Sequence, residues 1–360
     1  MRVLERGGRG SSRRGKLAAG EVGALRIAVV GCGAIGHAFH VPALAAIPGV
    51  GERVVLVDSN LSRANALRQE FGSGAVCSDH REVIDDVDGA IVAVPPEHHA
   101  SVAGDFLAAG IPVLCEKPLA TSIADGAALV EVGRRSGALL GVNQVRRLFP
   151  AVRRAAEWIG SGSSGTVRRI EIHEGAPFDW PLTSGGTFGR DGCGRGVLQD
   201  LGAHALDMVC WWLGSRPAIT RYMDDSMGGS ESVARVEFEG EGVEGVVQMS
   251  WLSRLSNTFR IEGEDERLEG EIRAWDSLWV TKRGGRARKL GLEPAVSSYP
   301  RVKGRMIENF LDAIRGHGTL EVPAEEVLPS LDMIEECYRR RGRFPMPWHE
   351  AGKEVCDEVG

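Results

Sequence analysis

The sequence predicts a two-domain α/β protein, with a doubly wound parallel sheet first and then an α/β domain that has a large open, mostly antiparallel sheet. In the first half, short apolar runs alternate with helical segments, which is typical of a parallel sheet covered by helices. In the second half, several segments alternate apolar and polar residues between glycine-rich turns, as antiparallel strands do. A length of 360 residues exceeds one ordinary domain. The predicted boundaries are a disordered basic tail over 1–24, a first domain over 25–146, a second domain over 147–345 and a C-terminal tail over 346–360.

The composition is that of a soluble globular protein, with 43% hydrophobic and 26% charged residues. No run of ~18 apolar residues occurs, so we expect no membrane span. The net charge of -6 argues against nucleic acid as the main partner. Seven scattered cysteines without a CxxC pair predict free thiols in a reducing cytoplasm and no disulfide framework or structural zinc site.

The N-terminal segment differs from the rest of the chain in charge. Residues 1–24 carry a net charge of +4, which leaves -10 for the remainder. The segment is rich in Gly and Ser and has no periodic apolar face, which predicts disorder or a start codon assigned too far upstream. Arg13 and Arg14 suggest a twin-arginine export signal, but no apolar core of about 7–15 residues follows them.

The first predicted strand ends in a glycine motif that points to a dinucleotide. The chain reads LRIAVVGCGAIG from residue 25, an apolar run followed by Gly31, Gly33 and Gly36. The first glycine allows the turn, the second lets the backbone approach a pyrophosphate, and the third lets helix and strand pack closely. The helix that follows offers N–H groups and a positive dipole to the phosphates. Ala34 and Ile35 belong to the same predicted binding loop.

A carboxylate after the second predicted strand completes this pattern. The segment RVVLVD ends in Asp58, about 20 residues beyond the glycines. A carboxylate here accepts hydrogen bonds from the adenosine ribose hydroxyls and repels a 2′-phosphate, which favours NAD. Arg63, one turn into the next helix, would pair with such a phosphate, so NADP remains an alternative.

Further strands are predicted over 89–96, 111–118 and 138–144, each separated from the next by a helix. A doubly wound sheet binds its ligand at the carboxyl ends of its strands. Glu116 and Lys117 lie at such an end. A Lys held against an apolar strand end can have its pKa lowered, which suits acid/base work. A surface Lys–Glu pair is the simpler alternative.

The second half contains one helical segment whose acidic and histidine side chains could take part in proton transfer. Asp200, His204 and Asp207 fall at i, i+4 and i+7, on one helix face. A carboxylate one turn before a His can hold the imidazole and support its charged form, which makes an acid/base pair. A divalent metal and a buried structural His are the alternatives. We expect no metal, because a second His at ligand spacing is missing.

The segments VVGCGAIG, VPPEHH, LCEKPLA and GVLQDLGAHALD, in this order, resemble the Gfo/Idh/MocA oxidoreductase family from about Leu25 to Arg343. The resemblance implies an N-terminal Rossmann domain and a second domain whose open sheet packs against another subunit, giving a homodimer or homotetramer. Lys117 then contacts nicotinamide and substrate, His204 donates or accepts the proton, and Asp200 orients the substrate. The cofactor groove is lined by Pro95, His99 and Glu116.

The implied activity is hydride transfer between NAD, or NADP, and a secondary alcohol or ketone of a sugar, inositol or related polyol. An NAD-dependent glycosidase of the same fold and a non-catalytic dinucleotide-sensing regulator are the alternatives. The resemblance places Arg147 just after the Rossmann domain, where it is a candidate for contacting the substrate. Trp180 would stack on a sugar ring or fill the core. Arg195 replaces a glycine the family often has, and would bind a phosphate or carboxylate or point to solvent.

Several strands of the second half carry large apolar side chains. We therefore expect the uncovered face of that sheet to be apolar and buried in an oligomer interface.

Overall fold

The structure is a computed structural model that describes residues 25–72, 74–181, 196–226, 229–292 and 298–345. The two predicted tails, over 1–24 and 346–360, lie outside these residues. The described residues form two sheets, one parallel and one mostly antiparallel. The predicted fold class is therefore confirmed.

The first sheet contains six described strands, all paired in parallel, in the order β3-β2-β1-β4-β5-β6. Most of its side chains are buried because helices cover both faces, as expected for β-branched runs in a parallel sheet. The chain reverses direction across the sheet between β1 and β4, which places a ligand crevice at their carboxyl ends. The strands are β1 Ile27–Val30, β2 Val55–Val57, β3 Ala75–Cys77, β4 Gly89–Val92, β5 Val113–Cys115 and β6 Leu140–Val142.

The helices of this domain begin and end at recognisable caps. The Asn60 side chain accepts from the Ser62 N–H, and the Ser122 side chain accepts from the Asp125 N–H. A π-helical turn, Gly36–His40, follows the glycine motif and runs into the first α-helix. The helices are α1 Val41–Ala45, α2 Leu61–Phe71, α3 His99–Ala108 and α4 Ile123–Ser136.

The second sheet contains nine described strands in the order β14-β13-β12-β11-β7-β10-β9-β8-β15. Its pairs are antiparallel except β7 with β10 and β8 with β15. The strands are β7 Val167–Gly175, β8 Ala218–Asp224, β9 Val233–Gly240, β10 Val243–Ser250, β11 Thr258–Gly263, β12 Glu266–Glu271, β13 Ser277–Lys282, β14 Ala287–Gly291 and β15 Gly342–Arg343.

One face of this sheet is covered by helices. Trp212 of the sixth helix packs on Phe259 of β11, with ring centroids 5.2 Å apart, and Trp158 of the fifth helix donates to Glu266 of β12. In the described part of the chain, no helix combines the length and the apolar character that a membrane crossing needs. These helices are α5 Pro150–Gly160, α6 Ala203–Leu213, α7 Tyr299–Ile314 and α8 Leu328–Arg339.

The open face of the sheet corrects one expectation. It carries ion pairs between charged side chains of neighbouring strands, such as Arg169 with Glu244 and Arg260 with Glu269. The large apolar side chains of the same strands, such as Ile170 and Ile172, point to the covered face because successive residues alternate between faces. The expectation of an apolar open face is therefore wrong.

Candidate active site

The glycine motif packs so closely against the sheet that side chains are excluded. Gly31 has a φ of 109°, and a Cβ there would lie 2.4 Å from the Ala93 carbonyl oxygen. A Cβ on Gly36 would lie 2.3 Å from the Gly31 oxygen. The helix that follows includes Ala34 and Ile35, and its first turn therefore lies directly at the carboxyl ends of β1 and β4. This positive helix end beside a bare backbone turn fits the pyrophosphate of a dinucleotide.

Asp58 lies half-buried at the edge of the same crevice. Its carboxylate accepts from the N–H of Cys32 at 2.9 Å and from the N–H of Asn60 at 2.8 Å. Each oxygen keeps a further lone pair for a ribose hydroxyl. Arg63 is close enough to act on the Cys32 thiol. Burial, helped by the charge of Asp58 and opposed by that of Arg63, raises the pKa of Cys32 to about 12, so this thiol is not a nucleophile.

Glu116, at the carboxyl end of β5, is the centre of a buried network. Its Oε1 accepts from His40 Nε2 at 2.8 Å and from Asn143 Nδ2 at 2.6 Å, and its Oε2 accepts from the Lys117 N–H at 3.1 Å. Burial acts to raise the pKa of Glu116, but the hydrogen bonds and charges of its neighbours lower it overall, so the carboxylate stays ionised. The network ties the glycine-motif helix to the ends of β5 and β6.

His99 and Pro95 follow the end of β4. His99 is fully buried, with Nδ1 2.8 Å from the Pro118 oxygen and Nε2 2.9 Å from the Val94 oxygen. Burial lowers its pKa. His99 therefore supports the loop after Lys117 from within, instead of lining the cofactor groove as expected. Pro95 is half-buried at the end of this strand.

An ion pair joins the two domains at the end of β5. Lys117 Nζ donates to Asp200 Oδ1 at 2.5 Å and to the Asp200 main-chain oxygen at 3.2 Å. Asp200 lies on a π-helical turn, Leu198–Gly202, that precedes α6. Burial acts to raise the pKa of Asp200, but the charge and hydrogen bond of Lys117, with Arg146 and Trp251, lower it. Asp200 therefore pairs with Lys117, and the expectation that it holds the imidazole of His204 is not met.

Gln144 takes the place that the sequence suggested for a carboxylate. Its Oε1 lies 2.7 Å from His204 Nδ1, while its Nε2 donates to the Ala203 oxygen at 2.8 Å. An amide oxygen only accepts, so Nδ1 must carry the proton and Nε2 keeps its lone pair. Burial lowers the pKa of His204 well below its usual value, and the charges of Arg146, Lys117 and Arg273 lower it further. The imidazole is therefore a neutral base.

Arg147 and Asp207 form a buried ion pair of their own. Nε and Nη2 of Arg147 both donate to the Asp207 carboxylate at 2.8 Å, and Nη1 donates to Glu326 at 2.5 Å. Arg147 is 2% exposed and holds the segment after β6 against α6, in place of the substrate contact expected for it. Since Asp200, His204 and Asp207 each have a separate partner, they do not converge as a metal site would require.

The loop after β7 reaches the Lys117–Asp200 pair through Trp251. Phe178 packs edge-on against Trp251, with ring centroids 4.9 Å apart, and the Trp251 side chain hydrogen-bonds Asp200. Trp180 on the same loop is 44% exposed, so it is not core filler. Arg195 lies outside the described residues.

Sequence reasoning missed four residues of this site, namely His40, Asn143, Gln144 and Arg146. Arg146 donates to the Glu174 carboxylate through both Nη atoms, and both side chains are buried. The available signal was position: the segment NQVRR follows the last strand of the first sheet, where ligands bind.

The comparisons with known proteins agree with this architecture. Residues 25–144 match the model of the oxidoreductase family with an NAD-binding Rossmann fold, and residues 152–269 match the Gfo/Idh/MocA C-terminal domain. A D-apiose dehydrogenase of Paraburkholderia graminis is 26% identical over 88% of both chains. The rhizopine catabolism protein MocA of Rhizobium meliloti is 22% identical, over 86% of this chain and 93% of its own.

The solved structures share the fold. A 3-ketoreductase from Actinomadura kijaniata, crystallised with NADP and TDP-benzene, superimposes with a TM-score of 0.76 at 21% identity, over 90% of this chain and all of its own. The family models together cover about two thirds of the chain, and both of the domains that define the family are present. The chain therefore belongs to the Gfo/Idh/MocA family of NAD(P)-dependent oxidoreductases.

Proposed function

We propose that the protein is a dehydrogenase or reductase that transfers hydride between NAD and a secondary alcohol or ketone of a sugar, inositol or related polyol. The observation that carries this proposal is the neutral His204, with an available Nε2, beside the Lys117–Asp200 ion pair. Relatives named as D-apiose, myo-inositol and levoglucosan dehydrogenases support the substrate class. Neither a glycosidase nor a regulator is favoured by these relatives.

His204 handles the proton of the reacting hydroxyl. In alcohol oxidation its Nε2 accepts this proton, and Gln144 stabilises the resulting imidazolium through Nδ1–H. In ketone reduction the same nitrogen returns the proton. The nicotinamide ring, when bound, accepts or supplies the hydride.

Lys117 stabilises the negative charge that develops on the reacting oxygen. Two of its contacts go to Asp200, and an ammonium group has three N–H donors, so one remains for the substrate. Asp200 holds the ammonium in place and keeps it from swinging out of the site. Glu116 fixes the main chain of Lys117 from the opposite side.

Turnover of the Lys117→Met and His204→Ala variants tests these roles. Absorbance at 340 nm is followed with sugars, inositols and sugar nucleotides, using NAD and NADP. We expect each variant to lose about 100-fold or more in kcat, the range for general acid–base catalysis. The matched control is Lys289→Met, which breaks an exposed Lys–Asp pair on β14 and should leave kcat unchanged. Wild-type kcat in both catalytic variants would refute the assignment.

We also propose a homodimer or homotetramer through the open face of the second sheet, and a location in the cytoplasm. The described helices leave the open face uncovered, and its Arg and Glu side chains are paired with one another, so a second copy related by a twofold axis would pack on an extended polar surface. Five described cysteines are free thiols, which supports a reducing compartment. Light scattering at micromolar concentration tests the assembly, and a monomeric mass would rule it out.

A further inference from the structure

A pair of basic side chains outside the proposed mechanism lies where the second domain meets the glycine-motif helix. The guanidinium carbon of Arg273, just after β12, is 5.3 Å from the centroid of the Tyr299 ring. Lys303 Nζ is 4.8 Å from the same ring and 4.8 Å from the ring of Phe39. Lys303 also donates to the Ala38 oxygen at 3.2 Å. Lys303 therefore contacts the glycine-motif helix directly, and the Tyr299 ring lies between Lys303 and Arg273.

This pair lies on the catalytic side of the crevice. His40, two residues beyond Ala38 on the same helix, binds Glu116, which precedes Lys117 in the chain. The charge of Arg273 also acts on the base, because it is one of those that lower the pKa of His204 after burial has done so. Arg273 is thus within electrostatic range of His204, on the same side of the crevice.

The charges around His204 do not balance. Arg146 is neutralised by Glu174 and Lys117 by Asp200. Burial lowers the pKa of Lys303, and the negative charge of the ionised Glu116 offsets part of this effect. Arg273 contacts the Tyr299 ring, and within the described ranges no carboxylate lies within ion-pair distance of its guanidinium. One positive charge beside the neutral base is therefore uncompensated.

We propose that Arg273 binds an anionic group of the substrate, so that the enzyme acts on an acidic sugar or polyol, one that carries a carboxylate or a phosphate. The inference rests on the proposed function and names the substrate class of the same site. An exposed guanidinium held by an aromatic ring keeps its fork of N–H donors for two oxygens of one anion. Bound NAD in its oxidised form adds positive charge at the nicotinamide, which an anionic substrate would offset.

Binding of matched probes to the NADH-loaded enzyme tests this inference independently of turnover. Three probes are titrated by calorimetry: D-glucuronate carries a carboxylate, glucose 6-phosphate carries a phosphate, and D-glucose is neutral. We expect at least one acidic probe to bind ten times more tightly than glucose, and the carboxylate and phosphate arms identify which anion is preferred. Arg273→Met should abolish this preference and Arg273→Lys should keep part of it. Arg286→Met, at an exposed arginine of the β13–β14 turn, should change nothing.

Several results would overturn the inference. It fails if neither acidic probe binds more tightly than glucose, or if the preference survives in Arg273→Met with an unchanged melting temperature. Efficient turnover of neutral polyols, with the same kcat/KM in Arg273→Met, would overturn it while leaving the oxidoreductase assignment intact. Tight, Arg273-dependent binding of an acidic probe, without turnover of any substrate, would support the anion site and contradict the oxidoreductase assignment.

The pH profile gives a second readout. Loss of the Arg273 charge should raise the pKa of His204 and move the acid limb of kcat/KM to higher pH, which a purely structural role would not do.

Discussion

Replacing Gln144 by Leu should disable the base without removing it. The amide oxygen of Gln144 is the group that selects the Nδ1–H form of His204, through a contact of 2.7 Å inside the protein. Leucine has a similar volume but cannot accept a hydrogen bond. The imidazole of the variant would then be free to move its proton to Nε2, where it could not accept a proton from the substrate.

The size of the effect follows from the burial of this contact. Gln144 is 3% exposed and His204 is 9% exposed, so water does not readily replace the lost acceptor. A buried donor without a partner costs about 1–3 kcal/mol, and the Nε2–H form avoids this cost. At ~1.4 kcal/mol per factor of ten, the productive form becomes about 5- to 150-fold rarer. The kcat/KM should fall by that factor, and the Kd of NADH should stay unchanged.

A double-mutant cycle separates this effect from general damage. The kcat/KM is measured for Gln144→Leu, His204→Ala and the double variant, with Gln248→Leu on the open face of β10 as the matched control. Because Gln144 acts through His204, it should have no further effect once the imidazole is gone. An equal loss in both backgrounds, or wild-type kcat/KM in the single variant, would refute the reasoning.

Three further predictions concern stability, cofactor choice and pH. Arg147→Met leaves the carboxylate of Asp207 buried and unpaired, so the free energy of unfolding should fall by about 3–5 kcal/mol in urea titrations, and an unchanged midpoint would contradict the pairing. The wild type should bind NADH more tightly than NADPH in fluorescence titrations, and Asp58→Ser should reduce that ratio by about tenfold. A ratio that favours NADPH from the start would reverse the assignment of Asp58. Because His204 must be neutral to accept a proton and its pKa is lowered, kcat/KM for oxidation should stay level down to pH 6.5 and fall only below it. A limb centred above pH 6.5 would exclude His204 as the base.

The parts of the fold that depend on local backbone geometry were predictable from the sequence. The spacing of Gly31, Gly33 and Gly36 after an apolar strand leaves few arrangements other than a dinucleotide turn. The open face of the second sheet was not predictable in the same way. Alternation along β7 assigns Ile170 and Arg169 to opposite faces, but it does not say which face the helices cover.

The partners in the site were harder to predict because they depend on contacts between distant residues. Gln144 meets a residue 60 positions away, and Lys117 meets one 83 positions away. The spacing of Asp200 and His204 predicts one turn of α-helix. The turn Leu198–Gly202 is π-helical, which changes the angle between these side chains, and Asp200 contacts Lys117 instead.

Helix α6, which carries His204, and the turn before it are held from both sides, and this explains why the proposed chemistry lies where the domains meet. At its start, the Leu198 N–H donates to Glu231 at 3.1 Å, and a Cβ on Gly196 would lie 2.0 Å from the carboxyl carbon of Glu231. On its other side it binds Lys117 and Gln144 of the first domain. The domain that binds the dinucleotide therefore also selects the tautomer of His204, through Gln144. In the proposed mechanism the first domain holds the dinucleotide and Lys117 while the second holds His204, so docking of the two domains is itself a condition for catalysis.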